Sequence, residues 1–171
     1  MTWDIQALFR RHAKAIAGSQ FDGADHDRPL TERGQEQAIG IVPTLAAFNP
    51  VRVVTSTAKR CRSTVKPLRR ALDLPADKTD DLSQQAFEEG EADVRAVVGK
   101  RIRKRETAVL CSHGPVLPEI VREIALATGT LVDGRVREAA DLPVAGFSVV
   151  HLSDRSPASG IIAIETHIPA V

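Results

Sequence analysis

The side chains best suited to chemistry fall at three places in this sequence: Arg11 with His12, Arg60, and His113 followed by Gly114. A histidine whose second ring nitrogen is held by a neighbour offers the first as a neutral nucleophile, able to accept a phosphoryl group. Arginine supplies the planar, two-pronged donor that fits phosphate oxygens. Taken singly, each residue has an ordinary explanation as a hydrogen-bonded loop histidine or a solvated helix arginine. Drawn together with no obvious carboxylate to neutralise them, two arginines and two histidines repel one another until an anion enters. The question is whether the chain brings these distant positions together.

The hydrophobic pattern says that it does. Residues 5–10 (IQALFR) form a short apolar run ending in basic residues, the pattern of a buried strand. From Thr31, a helix N-cap by type, apolar residues at Ala38, Ile41, Val42 and Leu45 predict an amphipathic helix that Pro43 should kink. Residues 51–54 (VRVV) predict a second strand, with Thr55, Ser56 and Thr57 as capping candidates for a helix burying Ala58, Cys61, Val65, Leu68 and Leu72. Asp80 to Gly90 reads as a loop, and Val94, Val97, Val98 and Ile102 mark the next helix. Residues 107–111 (TAVLC) predict a strand that stops at Ser112, His113 and Gly114. Pro115 then opens a helix with Leu117, Ile120, Val121 and Ile124 on its buried stripe. The runs 147–152 and 161–165 predict a terminal strand pair.

Strands alternating with helices imply an α/β fold, a mainly parallel sheet covered on both faces, with the last pair adding an antiparallel edge. In such sheets ligands bind at the C-terminal strand ends, where helix N-termini offer free N–H groups. Arg11 and His12 follow the first strand, Arg60 lies one turn into the helix after the second, and His113 follows TAVLC. All four are therefore expected on one rim.

Four blocks in this order, RRHAKA, PLTERGQEQA, VVTSTAKRCRST and VLCSHGPVLP, resemble the histidine phosphatase superfamily, with its Arg-His-Gly and later Ser-His-Gly motifs. The likeness runs from about residue 5 to residue 120 and is similar in particular to the short branch containing SixA-like phosphohistidine phosphatases. It also resembles the phosphatase domain that follows a Nudix domain in some actinobacterial nucleotide hydrolases. The resemblance implies a phosphoglycerate mutase-like three-layer α/β/α sandwich. It implies His12 as the phosphorylated nucleophile, Arg11 and Arg60 as phosphoryl ligands, and His113 as a donor to the transferring group. Fixed cationic donors of this kind serve phosphoryl transfer without a metal, and no cofactor is expected. Lys14, Arg28 and Gly114 are expected to flank the substrate.

Two departures stand out. Ala13 replaces the usual glycine. Larger relatives carry a glutamate acid in an L-x-E motif, where this chain has Leu82, Ser83 and Gln84, and an amide cannot protonate a leaving group. Glu88, with Glu89 beside it, is the candidate replacement if its loop folds over the pocket. Loss of the acid tilts the expected substrate toward a phosphoramidate, such as a phosphohistidine protein, or a nucleotide phosphoanhydride, whose leaving groups depart with less help. Two other readings are a phosphate- or phosphohistidine-binding module without turnover, and a small-molecule phosphomonoesterase.

Composition narrows the partners. The formal net charge of +1 gives no field for nucleic acid. No run approaches the roughly 18 apolar residues of a membrane span, and the N-terminal segment lacks the order of a secretory signal, so a cytoplasmic protein is expected. The whole of residues 1–171 reads as one domain, free-standing or preceded by a Nudix domain or partner. The phosphorylated partner is a small molecule, nucleotide or phosphoprotein. The basic run Gly99–Glu106 sits at a helix C-terminus, where cations suit the dipole. The aspartates of DGADHD miss the spacing of a calcium loop and read as solvated, as do Arg62, Lys66, Arg69 and Arg70. Cys61 and Cys111 read as a buried, reduced pair.

Overall fold

The computed structural model describes residues 4–169. Six strands form one sheet in the order β3-β2-β4-β1-β5-β6: β1 (Asp4–Arg11), β2 (Arg52–Ser56), β3 (Ala76–Thr79), β4 (Ala108–Ser112), β5 (Phe147–Ser153) and β6 (Ile161–His167). Strands β3, β2, β4 and β1 are parallel, whereas β5 runs antiparallel to β1 and β6 antiparallel to β5. This is the mainly parallel sheet with an antiparallel edge that the strand–helix alternation predicts.

Period-two alternation sends successive side chains to opposite faces, so each central strand feeds two cores. Phe9, Val54, Leu110 and Val150 belong to one, Leu8, Val53, Val109 and Val149 to the other. Helices α5 (Val94–Arg103), α6 (Leu117–Ala127) and α7 (Gly134–Glu138) cover the first face, α2 (Val42–Ala46) and α3 (Lys59–Leu72) the second. Helix α1 (Glu32–Gly40) packs on α3, and the short α4 (Gln84–Glu88) follows β3. Among the described residues no helix is long and apolar enough to cross a membrane.

Local chemistry explains where the elements depart from expectation. Thr31 does cap α1, its hydroxyl accepting from Gly34 N at 3.0 Å. Pro43, however, does not kink that helix: α1 stops at Gly40, and the proline falls in the first turn of α2, where its missing N–H costs nothing. Pro115 lies in the turn before α6, and Pro118 takes the first-turn position instead. Thr55 and Ser56 remain in β2, and α3 begins after Ala58 without a side-chain cap. Strand β3 (ADKT) is short, polar and paired on one side only, so it carries no hydrophobic alternation to read. Within the expected Asp80–Gly90 loop, Ser83 nucleates α4 by accepting from Ala86 N at 3.1 Å.

Candidate active site

The parallel strand ends converge as expected. His12 immediately follows β1, and its backbone is held on both sides: its N–H donates to Ser112 O at 3.1 Å, and its carbonyl accepts from Ala145 N at 3.0 Å. The next residue, Ala13, is buried and donates its N–H to Thr64 Oγ1 at 2.9 Å. That hydroxyl donates in turn to Arg60 O at 2.6 Å. Thr64 therefore locks the strand end to the first turn of α3, and with it the distance between His12 and Arg60.

The ring of His12 is oriented by its own neighbour. Nδ1 lies 2.8 Å from Ala13 O, and because a carbonyl only accepts, Nδ1 carries the proton and Nε2 keeps its lone pair. Arg60 Nε donates to that Nε2 at 3.3 Å. Burial first, then the charges of Arg60, Arg11 and Arg28, push the His12 pKa down to about 4 against the opposing bond to Ala13 O. The imidazole is thus neutral at physiological pH.

His113 stands beside it, with ring centroids 5.2 Å apart at 64°. Ser56 Oγ lies 2.9 Å and Cys61 Sγ 3.5 Å from His113 Nε2. Ser56 Oγ also accepts from Ala58 N at 3.2 Å, and its own proton can go to this ring nitrogen or to Cys61. With Ser56 as the donor, neutral His113 carries its proton on Nδ1, which is buried with no partner among the described residues. Desolvation, then His12 and Arg60, lower the His113 pKa to about 2.

Arg11 ends β1 next to His12. One guanidinium nitrogen donates to Leu142 O at 3.1 Å, while its Nε is buried without a partner among the described residues. A Cβ on Gly114 would stand 3.4 Å from the Arg11 Cζ and Nε, so this glycine lets the guanidinium lie close against the backbone. Arg28 reaches the cleft as expected, bonded through Nε to Asp25 Oδ1 at 2.8 Å and through a terminal nitrogen to Ile16 O at 2.7 Å. Lys14 does not: its side chain is exposed outside the cleft, and its backbone bonds Thr31 and Gln37.

One expectation is corrected. The cationic cluster does have a carboxylate: Arg60 donates to Asp25 O at 2.8 Å and to Asp25 Oδ2 at 3.1 Å. Partial burial works to raise the Asp25 carboxyl, but hydrogen bonds and charge from Arg28 and Arg60 outweigh it and hold it below the usual carboxylate range. The signal was the Asp25–Arg28 spacing of three inside a turn (Asp25–Asp27) that reads by composition as solvated. Ser56, by type a capping candidate, instead ends β2 against His113, and Thr64 reads in the sequence as one more helix residue.

A cleft of about 370 Å³ is lined by Asp25, Arg28, Arg60 and His113 together with Gln84 and Glu88; His12, buried against Arg60 and His113, does not itself line it, nor do Arg11 and Gly114. Helix α4 thus brings Glu88 to the pocket, but Oε1 accepts from Gln84 Nε2 at 2.8 Å. Glu89 points away to Gln85 at 3.0 Å. The basic run before β4 is structural: Arg101 is buried and donates to Glu106 at 2.7 Å.

Sheet order and helix layers define an α/β protein of the phosphoglycerate mutase-like class, with its cleft at the parallel strand ends. The sequence model of the histidine phosphatase superfamily (branch 1) matches residues 8–105, more than half of the chain, and the chain belongs to that family. It is 29 % identical over 114 residues to an 8-oxo-(d)GTP phosphatase of Mycolicibacterium smegmatis, covering 67 % of this chain and 35 % of that protein. The chain thus spans about a third of that relative's length. A structure from Nakamurella multipartitia assigned as a phosphohistidine phosphatase SixA superposes with a TM-score of 0.69 at 22 % identity over 98 % of both chains. A mycobacterial glucosyl-3-phosphoglycerate phosphatase does so with a TM-score of 0.65 at 14 % identity over 97 % of this chain and 98 % of that one. At these identities the superpositions establish the fold.

Proposed function

We propose that the chain is a metal-independent phosphatase that passes a phosphoryl group through His12 Nε2, drawn from a phosphohistidine protein or a nucleotide phosphoanhydride. The observation that carries this reading is the lone pair of Nε2, fixed by the Nδ1 bond to Ala13 O and kept unprotonated by burial. In the first step Nε2 attacks phosphorus while the bond to the leaving group breaks. The equatorial oxygens are met by the guanidinium groups of Arg60, Arg28 and Arg11 and by the Nδ1 proton of His113. In the second step water attacks the phosphohistidine, releasing inorganic phosphate and restoring neutral His12.

Leaving-group chemistry supports the substrate class. Gln84 stands in the cleft at the position of the family acid and has no proton to give, and the nearby Glu88 is engaged by it. An imidazole or phosphate leaving group needs less protonation than a sugar alkoxide. Two of the relatives' names, a nucleotide phosphatase and a phosphohistidine phosphatase, fall within the same two chemistries, while the third, a glucosyl-3-phosphoglycerate phosphatase, names a phosphomonoester.

The test is a substrate panel with rapid quenching. Phosphoramidate and nucleoside diphosphate are expected to turn over faster than a sugar phosphate and to leave an acid-labile phosphoenzyme that is absent from His12→Ala. A His12→Ala protein that hydrolyses at the parental rate overturns the nucleophile assignment, and preference for the sugar phosphate overturns the substrate class. Labelling without release returns the chain to a binding module.

A further inference from the structure

The outer face of α3 carries charge that the cleft does not use. Lys59, Arg62, Lys66 and Arg69 follow at steps of three and four, so they share one face and run along about 15 Å of helix. The buried stripe of Arg60, Cys61, Thr64, Val65 and Leu68 lies off this face. Together with Ser63 and Lys78 these residues line a groove of about 460 Å³ between α3 and the edge strand β3. Among the described residues no carboxylate lines it.

Among the described residues none of the five groove cations has a carboxylate within ion-pair distance, and all five face one groove. Like charges one turn apart destabilise a helix by a few tenths of a kcal/mol per pair, roughly 0.2–0.5. Lys59, at the first helical position, also opposes the helix dipole. The fold bears these costs in the free protein, and an anionic partner relieves them.

The groove's surroundings narrow the partner's chemistry. Among the described residues no aromatic side chain lines it, so they offer no platform for stacking bases. Thr57, two residues before Lys59, donates to the Asp80 carboxylate, with Asp81 next in the chain. A nucleic-acid backbone running on from the groove toward the cleft would meet these carboxylates, while a short run of acidic side chains ends before them.

We propose that this groove docks an acidic patch on a protein partner and holds that partner beside the cleft. Lys59 adjoins Arg60 in sequence, so a docked protein presents its phosphorylated side chain at the catalytic rim. This last consequence rests on the phosphatase reading above, and the docking itself does not.

The experiment uses the full chain and a fluorescein-labelled decaglutamate peptide, followed by fluorescence anisotropy, with a glycine–serine peptide and a single-stranded oligonucleotide of matching charge as controls. Decaglutamate is expected to bind in preference to both controls and to weaken about tenfold or more between low and high salt. R62E/K66E/R69E should weaken it by a similar factor while phosphoramidate hydrolysis stays within about twofold of the parent, which also reports that the variant folds. If the triple variant loses its circular dichroism signal, K66E alone, at an exposed position, should still weaken the peptide severalfold. Equal affinity of parent and charge-reversed proteins, or no binding above the neutral peptide, overturns the proposal. Tighter binding of the oligonucleotide through the same residues overturns its assignment to a protein. Peptide binding that depends on these residues in a chain unable to hydrolyse phosphoramidate leaves docking standing and removes the phosphatase reading.

Discussion

Arg60 donates through Nε to His12 Nε2 at 3.3 Å while its two terminal nitrogens hold the Asp25 carbonyl and carboxylate at 2.8 and 3.1 Å. One guanidinium thus joins the nucleophile to a surface turn, and its terminal donors, the pair best shaped for a phosphoryl group, are occupied by a carboxylate in the free protein. A phosphoryl dianion competes with Asp25 for them. Asp25→Asn removes the competing charge and keeps the backbone contact, so inorganic phosphate should bind the variant about three- to tenfold more tightly by calorimetry. Weaker binding would instead show that the carboxylate's main role is to aim Arg60.

The protonation of His12 makes a second prediction. Burial and three arginines place its pKa near 4, well below the ordinary histidine value of 6.5. A nuclear magnetic resonance titration should show the ring neutral through pH 5, and the acid limb of kcat/KM for a nucleoside diphosphate should lie near pH 4. A midpoint at 6.5 would mean that the ring is solvated in the free enzyme. Phosphate should raise the pKa of both histidines, because its charge favours the imidazolium.

A third concerns Gly34 in the PLTERG block. A Cβ there would stand 2.0 Å from Lys14 O, the carbonyl that also accepts from Thr31 N at 2.9 Å. Gly34→Ala must push α1 away from the chain segment after His12. The expected cost is about 2 kcal/mol of stability by denaturant unfolding, with a larger loss in kcat than a destabilised but undistorted site would show. Lys14→Ala, truncating only an exposed side chain, should be near neutral on both counts.

The rim was legible in the sequence because it depends on strand ends, and strands such as TAVLC announce themselves by apolar runs bounded by polar residues. The contacts that tune it were not. Asp25 belongs to a turn whose composition is that of any solvated loop, and only the fold carries it to Arg60. Thr64 reads as one more residue on a helix, yet its hydroxyl bridges Ala13 and Arg60, two positions distant in the chain. Strand β3 escaped because an edge strand with one partner needs no hydrophobic alternation, and α4 because five residues are too few to show a period.

Arg10 offers a fourth prediction, on stability. It follows Phe9 in β1, faces Cys111 of β4 and Phe147 of β5 across the sheet, and is fully buried. None of its three guanidinium nitrogens has a hydrogen-bond partner among the described residues. Desolvation accordingly pulls its pKa down, and only the thiols of Cys111 and Cys61 oppose it. A buried charge so poorly compensated is costly, and an apolar residue of similar length removes that cost. Arg10→Met should raise stability by about 1–3 kcal/mol, or roughly 2–4 °C in Tm per kcal/mol, with the chemistry of His12 unchanged. A lower Tm would show that the guanidinium is paired with a thiolate.

The two buried histidines also make stability depend on pH in a definite direction. Both have folded-state pKa values below the unfolded value of 6.5, near 4 for His12 and near 2 for His113. Below pH 6.5 the unfolded chain binds protons that the folded chain refuses, so stability falls as pH is lowered. The loss continues to about pH 4 for His12 and beyond it for His113, at up to about 1.4 kcal/mol per pH unit for each ring. Thermal unfolding between pH 7 and pH 4.5 should show this decline, and His12→Asn should lessen it by removing one of the two groups. Inorganic phosphate should flatten it further, since an anion between the rings lets them take up protons without unfolding. A decline unaffected by either change would assign the acid lability to carboxylate pairs such as Arg101–Glu106.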